Sequence, residues 1–277
     1  VAVGDVKEGR LIMTALATRI PPGHYRFRHV ARMEWIKLRS LPSTWWTLAI
    51  SVAGAIGIGV TVGLNTQNAA GDLTNNALSG IIPSLLLSGV LGVLAITSEY
   101  SSGMIRATLA AVPRRPLLLA AKIAVFGAIA LVVGEAAAFA SFFAGGAALG
   151  HGIAAPTLGQ PGVLRAVLLA GTGFCLLGLI GLGLGAAIRH SAAAIAVMVG
   201  GVYVLPTFIG TVSRQAGAYM PINIIGNSLS NTQPTPCPAR AVHCVQFLSP
   251  WAGLGVLCLY AGATLAVGWW MLAHRDA

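Results

Sequence analysis

Apolar residues run through this chain in long, nearly unbroken blocks. They do not recur at the periods of 2 or 3.6 residues that mark half-buried strands and helices. A helix that crosses a bilayer needs about 20 mostly apolar residues. Six blocks meet that length: Thr44–Leu64, Ala77–Thr97, Lys122–Leu149 (its helix starting near Pro116), Val163–Ile188, Ala192–Val212 and Trp251–Leu272. Trp45, Trp46, Trp251, Trp269 and Trp270 stand near block ends, where indole rings favour the membrane–water boundary. The pattern predicts an all-α membrane protein with six transmembrane helices. Its layout is a tail over residues 1–43, a six-span domain over 44–272 and a short tail over 273–277.

The polar stretches add two shorter elements. In His24–Leu41, Arg28, Arg32 and Arg39 share one helical face, and Phe27, Val30, Met33, Leu38 and Leu41 cluster roughly opposite. This predicts an N-terminal amphipathic interfacial helix on the inner membrane surface. Glu34 and Lys37 intrude on its apolar face and are spaced to pair at i, i+3. Its two readings are a basic topogenic anchor and a docking surface for a partner. Between spans two and three, Gly103 permits a tight bend, Met104–Val112 reads as a short helix, and Pro113 ends it. The apolar stretch YMPINIIGNSL, in the loop 213–250, is too short to span and predicts a short interfacial or re-entrant helix.

Charge supports the membrane reading and sets an orientation. The chain has 277 residues, of which 56% are hydrophobic and only 9% charged, with a net charge of +10. Soluble domains carry about 25% charged residues to coat their surface. Of the 17 Lys and Arg residues, 14 fall on the side of the N-terminal tail, the span two–three segment, Arg189 and Arg275. Arg165, Arg214 and Arg240 fall on the other. Positive charge is retained on the cytoplasmic side, so both termini are expected inside. The first span is expected to direct insertion, since the first 43 residues lack a cleavable-signal core. No zinc-finger or RNP-like spacing supports nucleic-acid binding as the source of the basic charge.

Candidate chemistry is sparse. Glu135 lies deep in the third span, where a carboxylate must be paired, protonated or facing a polar cavity. Binding of a cationic substrate, proton relay and a structural hydrogen bond are all open to it. Cys237 and Cys244 share a polar loop and are disulfide candidates on an oxidising side; zinc is the less favoured reading, with only His243 nearby. His151, His190 and His243 lack metal spacing. Gly59/Gly63 and Gly181/Gly185 have the small-xxx-small spacing of close helix contacts, within one subunit or between two.

The segment SEYSSGMIRATLAAVPRR resembles the intracellular coupling region of the type-2 ABC exporter permease family. That pattern runs from an acidic residue through Gly-Thr and a short hydrophobic helix to Pro and a basic residue. Glu99, Gly103, Leu109, Pro113 and Arg114 follow it in order, and Met104 replaces the usual Thr. MEWIKLRSLPSTWW, RHSAAA and YMPINIIGNSL are similar to other family segments, so the resemblance covers about residues 24–277. It implies a permease subunit of the bacterial plasma membrane. That subunit pairs with a second copy or homologue and is served by two separate ATPase subunits. The coupling residues would be Glu99, Tyr100, Gly103, Arg106, Pro113 and Arg114, with the preceding helix as a second contact. The chain lacks a G-x-x-x-x-G-K-[ST] loop, so ATP and Mg are expected on the partner and no cofactor on this chain. The alternative is a proton-coupled secondary transporter built on Glu135.

Overall fold

The computed structural model describes residues 26–67, 71–112, 114–150, 152–231 and 247–274. Pro113, His151, Cys237, His243 and Cys244 lie outside the described residues, as do most of the N-terminal tail and Arg275. Among the described residues the chain is helical without strands, and six helices are long and apolar enough to cross a membrane. The protein is an all-α, multi-pass membrane protein.

In chain order, α1 is Phe27–Ser40 and α2, the first span, is Pro42–Asn65. The second span joins α3, Leu73–Leu78, to α4, Ile81–Ser101. The short helix α5 is Met104–Ala111, and the third span, α6, runs Arg115–Ala147. The fourth span is α7, Val163–Ile188. The fifth comprises α8 (Ser191–Val199), a π-helical turn (Gly200–Val204) and α9 (Leu205–Val212). Two short helices follow, α10 (Arg214–Gly217) and α11 (Pro221–Ser228), before the sixth span, α12, Pro250–His274.

Two features, in the second and fifth spans, differ from the sequence pattern, while the long third helix starts near Pro116 as expected. The second span begins earlier because Asp72 caps α3, its Oδ1 accepting from the Thr74 and Asn75 amides at 3.1 Å. The third span has 33 residues. At about 1.5 Å per residue it is roughly 50 Å long, longer than a hydrocarbon core of about 30 Å. A helix of this length can project beyond the apolar layer, and the charged residues Arg115 and Lys122 lie in its first turns. In the fifth span, Pro206 has no N–H to offer the Val202 carbonyl, and the helix widens into the π turn at that place.

The most buried span is α7, which packs against α4, α6 and α12. Backbones approach closely at its crossing with α4. A methyl group on Gly92 would overlap the Gly178 carbonyl oxygen, and one on Gly181 would overlap that of Gly89. In lipid, where apolar side chains gain little by leaving one apolar medium for another, such close packing is a main source of helix association. The Gly59/Gly63 face is likewise intramolecular. It meets α6, where Ser141 Oγ donates to the Ala55 and Ala77 carbonyls at 3.0 and 2.8 Å. Both glycine pairs are thus used within the subunit.

Candidate functional site

At the end of the bundle where α1, α4, α5 and α6 meet, four charged side chains converge, three of them buried. Glu34 of α1 and Glu99 of α4 are 1% and 6% exposed, and Lys122 of α6 is 4% exposed. Lys122 Nζ donates to Glu34 Oε2, to Glu99 Oε1 at 2.7 Å and to the Ala95 carbonyl at 3.3 Å. Lys37 Nζ donates to Glu34 Oε1 at 3.3 Å, Glu99 Oε1 at 3.2 Å and the Thr108 hydroxyl of α5 at 3.2 Å.

Each ammonium has three N–H groups, and each makes three contacts. Two carboxylates and two ammonium groups also leave the cluster without net charge. Burial of this many charges is tolerable only when the ions are mutually paired and hydrogen-bonded. Among the described residues, Glu99 Oε2 is buried without a hydrogen-bond partner. The cluster therefore keeps one spare acceptor, beside the short helix.

The sequence supplies this geometry locally. Glu34 and Lys37 lie one turn apart on α1, on the same stripe as the buried Val30 and Leu38. Gly103 makes the bend from α4 into α5 at φ +71°, a left-handed conformation that an L side chain resists. The turn swings α5 back so that Ile105 and Thr108 face inward while Met104, Arg106, Ala107 and Ala110 remain exposed. Beside the charges, Val30, Val112, Leu118 and Ala121 form a small core of their own, which joins α1 and the end of α5 to the start of α6.

Helix α1 keeps the expected division between its arginine face and its apolar stripe. The stripe carrying Val30 and Leu38 packs against the bundle, and Glu34 and Lys37 lie on it as ion-pair partners of the spans. Phe27 and Leu41 stay exposed, as do Arg28, Arg32 and Arg39 on the opposite face.

The remaining coupling candidates scatter around this cluster. Tyr100 turns away from it, its ring lying 5.4 Å from the Arg189 guanidinium carbon. Arg189, in a left-handed conformation at the end of α7, donates to the Met271 carbonyl at 2.8 Å, and Arg115 donates to that of Leu272 at 2.8 Å. These two cations sit at the carboxyl end of α12, where the helix dipole favours them. Arg106 and Arg114 are exposed. Lys122 and Thr108 join the site although the sequence pattern does not mark them. Lys122 reads there as a topological charge at a span boundary, and its partners lie 23 and 88 positions away.

Glu135 stands apart in the middle of α6. It is half-buried, and its Oε1 accepts a hydrogen bond from the Thr172 hydroxyl at 3.3 Å. It lies over Gly171 of α7. Its Oε2 is buried without a hydrogen-bond partner among the described residues. Among those residues no group of three or more His, Cys, Asp or Glu side chains could hold a metal ion. Cys175 and Cys258 are free thiols, the first buried and the second exposed.

No protein-family model matches the chain, and comparison with curated proteins found no match.

Proposed function

We propose that the chain is the permease subunit of an ATP-driven exporter in a bacterial plasma membrane, with both termini cytoplasmic. Two copies, or one copy and a homologue, form the pathway. A separate ATPase subunit docks beneath each and supplies the ATP and Mg chemistry.

The observation that carries this reading is the Glu34–Lys37–Glu99–Lys122 cluster. Through it and the adjoining small core, α5 is joined to α1 and to the ends of the second and third spans. A push on the outward face of α5 would move those ends together instead of bending a loop. That is the mechanical property needed to transmit closure of an ATPase into reorientation of spans. The exposed side chains Met104, Arg106, Ala107 and Ala110 form the surface on which the push would act.

The test is purification from the native host in mild detergent, followed by mass spectrometry. A stoichiometric ATP-binding subunit should travel with the chain and be lost in Arg106→Glu, whose exposed position leaves thermal stability unchanged. If no ATPase is retained under several gentle conditions, the exporter reading fails.

A second reading, proton-coupled transport, has its own observation in Glu135 Oε2, which has no hydrogen-bond partner among the described residues. It requires transport that persists without ATP and disappears in Glu135→Gln. The exporter reading expects the reverse on both counts.

A further inference from the structure

The two faces of α1 treat charge in opposite ways. With 3.6 residues per turn, Arg32 and Arg39 fall almost diametrically opposite Glu34. Glu34 and Lys37 are neutralised inside the bundle. Arg32 and Arg39 are exposed, and their side chains have no ion-pair or hydrogen-bond partner among the described residues. The described carboxylates are all engaged elsewhere: Glu34 and Glu99 in the cluster, Asp72 at the cap of α3, Glu135 with Thr172. An anion that neutralises this face must therefore come from outside the described residues.

Arg32, Trp35, Ile36, Arg39 and Ser40 line a concavity of about 470 Å³. Trp35 is 42% exposed and Ile36 56%. They place apolar surface between two arginines set two helical turns apart. Its position relative to the first span is fixed by the chain. Trp45 Nε1 donates to the Arg39 carbonyl at 3.2 Å, pinning the end of α1 to the first turn of α2, the first span. Trp45 and Trp46 are exposed there, where indole rings mark the headgroup layer.

We propose that this outward face of α1 is a binding site for an anionic phospholipid. The guanidinium groups of Arg32 and Arg39 hold the headgroup phosphate, which planar N–H forks suit. Trp35 and Ile36 meet the upper part of the acyl chains. The apolar stripe at Val30 and Leu38 stays on the protein. The face turned to the lipid is thus the one a helical wheel assigns to water, with long arginine stems reaching to the headgroups. The site stands whether or not the chain transports, and requires only that the six helices span a bilayer.

The experiment uses the purified chain in nanodiscs of phosphatidylcholine doped with phosphatidylglycerol, and native mass spectrometry of lipid adducts. The parent chain should retain phosphatidylglycerol preferentially. Arg32→Gln/Arg39→Gln should lower that preference roughly tenfold, with unchanged thermal stability because the buried cluster is untouched. Arg106→Gln, on α5, should leave it intact. Equal phosphatidylglycerol retention by the double variant would overturn the proposal. So would displacement of the lipid by millimolar inorganic phosphate, which would mark a general anion site. A double variant that keeps its lipid preference but loses a co-purifying protein would assign the face to that protein instead.

Discussion

Glu99 and Glu135 are both carboxylates held within helices that cross the membrane, and their surroundings differ in kind. Glu99 stands at the end of its span, faces two ammonium groups and joins four helices. Glu135 stands mid-span with one hydroxyl for company. The difference follows from depth. The overlong α6 lifts Lys122 toward the membrane boundary, where an ammonium can be held by carboxylates and a carbonyl. At mid-depth an ammonium is costly to insert, and none is within hydrogen-bond reach of Glu135 among the described residues. A lone carboxylate there is stabilised by protonation or by a hydrogen bond, and it does not hold helices together by charge.

The comparison is broken most directly at Lys122. Lys122→Met would leave two buried carboxylates facing only Lys37, and should destabilise the fold by about 3–5 kcal/mol. Unfolding in nanodiscs would read this, and Glu34→Gln/Lys122→Met should recover part of the loss. A single variant as stable as its parent would show that the cluster locks nothing. Smaller, and independent of charge, is the effect of Gly92→Val. It forces α4 from α7 and should cost about 1–3 kcal/mol by the same measurement, without altering ATPase retention.

Within the cluster the two lysines should separate. Lys37 keeps 22% side-chain exposure against 5% for Lys122. Lys37→Met should therefore cost less than Lys122→Met, about 1–3 kcal/mol. An equal loss from both lysines would mean that burial does not rank their contributions. Glu135→Gln should have the smallest effect, within about 1 kcal/mol of the parent, because an amide can still accept from Thr172. A large loss of stability in that variant would place Glu135 in the same structural class as Glu99 and end the comparison.

Much of the architecture was legible along the chain. The six spans, the short helix after Gly103 and the helix within YMPINIIGNSL follow from apolar run length and turn residues. Each is a local property that sums along the sequence. The Glu34–Lys37 pair was legible too, because i, i+3 spacing on a helix places two side chains together without reference to other elements.

Only the tertiary structure decided which faces meet. Gly181/Gly185 could serve packing within or between subunits; the crossing with α4 assigned them within. Arg32 and Arg39 share a face on any helical wheel, and the burial of Glu34 beside Lys122 turned that face outward from the bundle. The physical reason is common to these cases. Lipid and the flank of a neighbouring helix are both apolar, so hydrophobic pattern distinguishes them poorly. An ion pair formed 88 positions apart exists only once the helices carrying it have packed. The sequence by itself determined how many times the chain crosses. Packing decided which charges are spent inside the protein and which stay exposed.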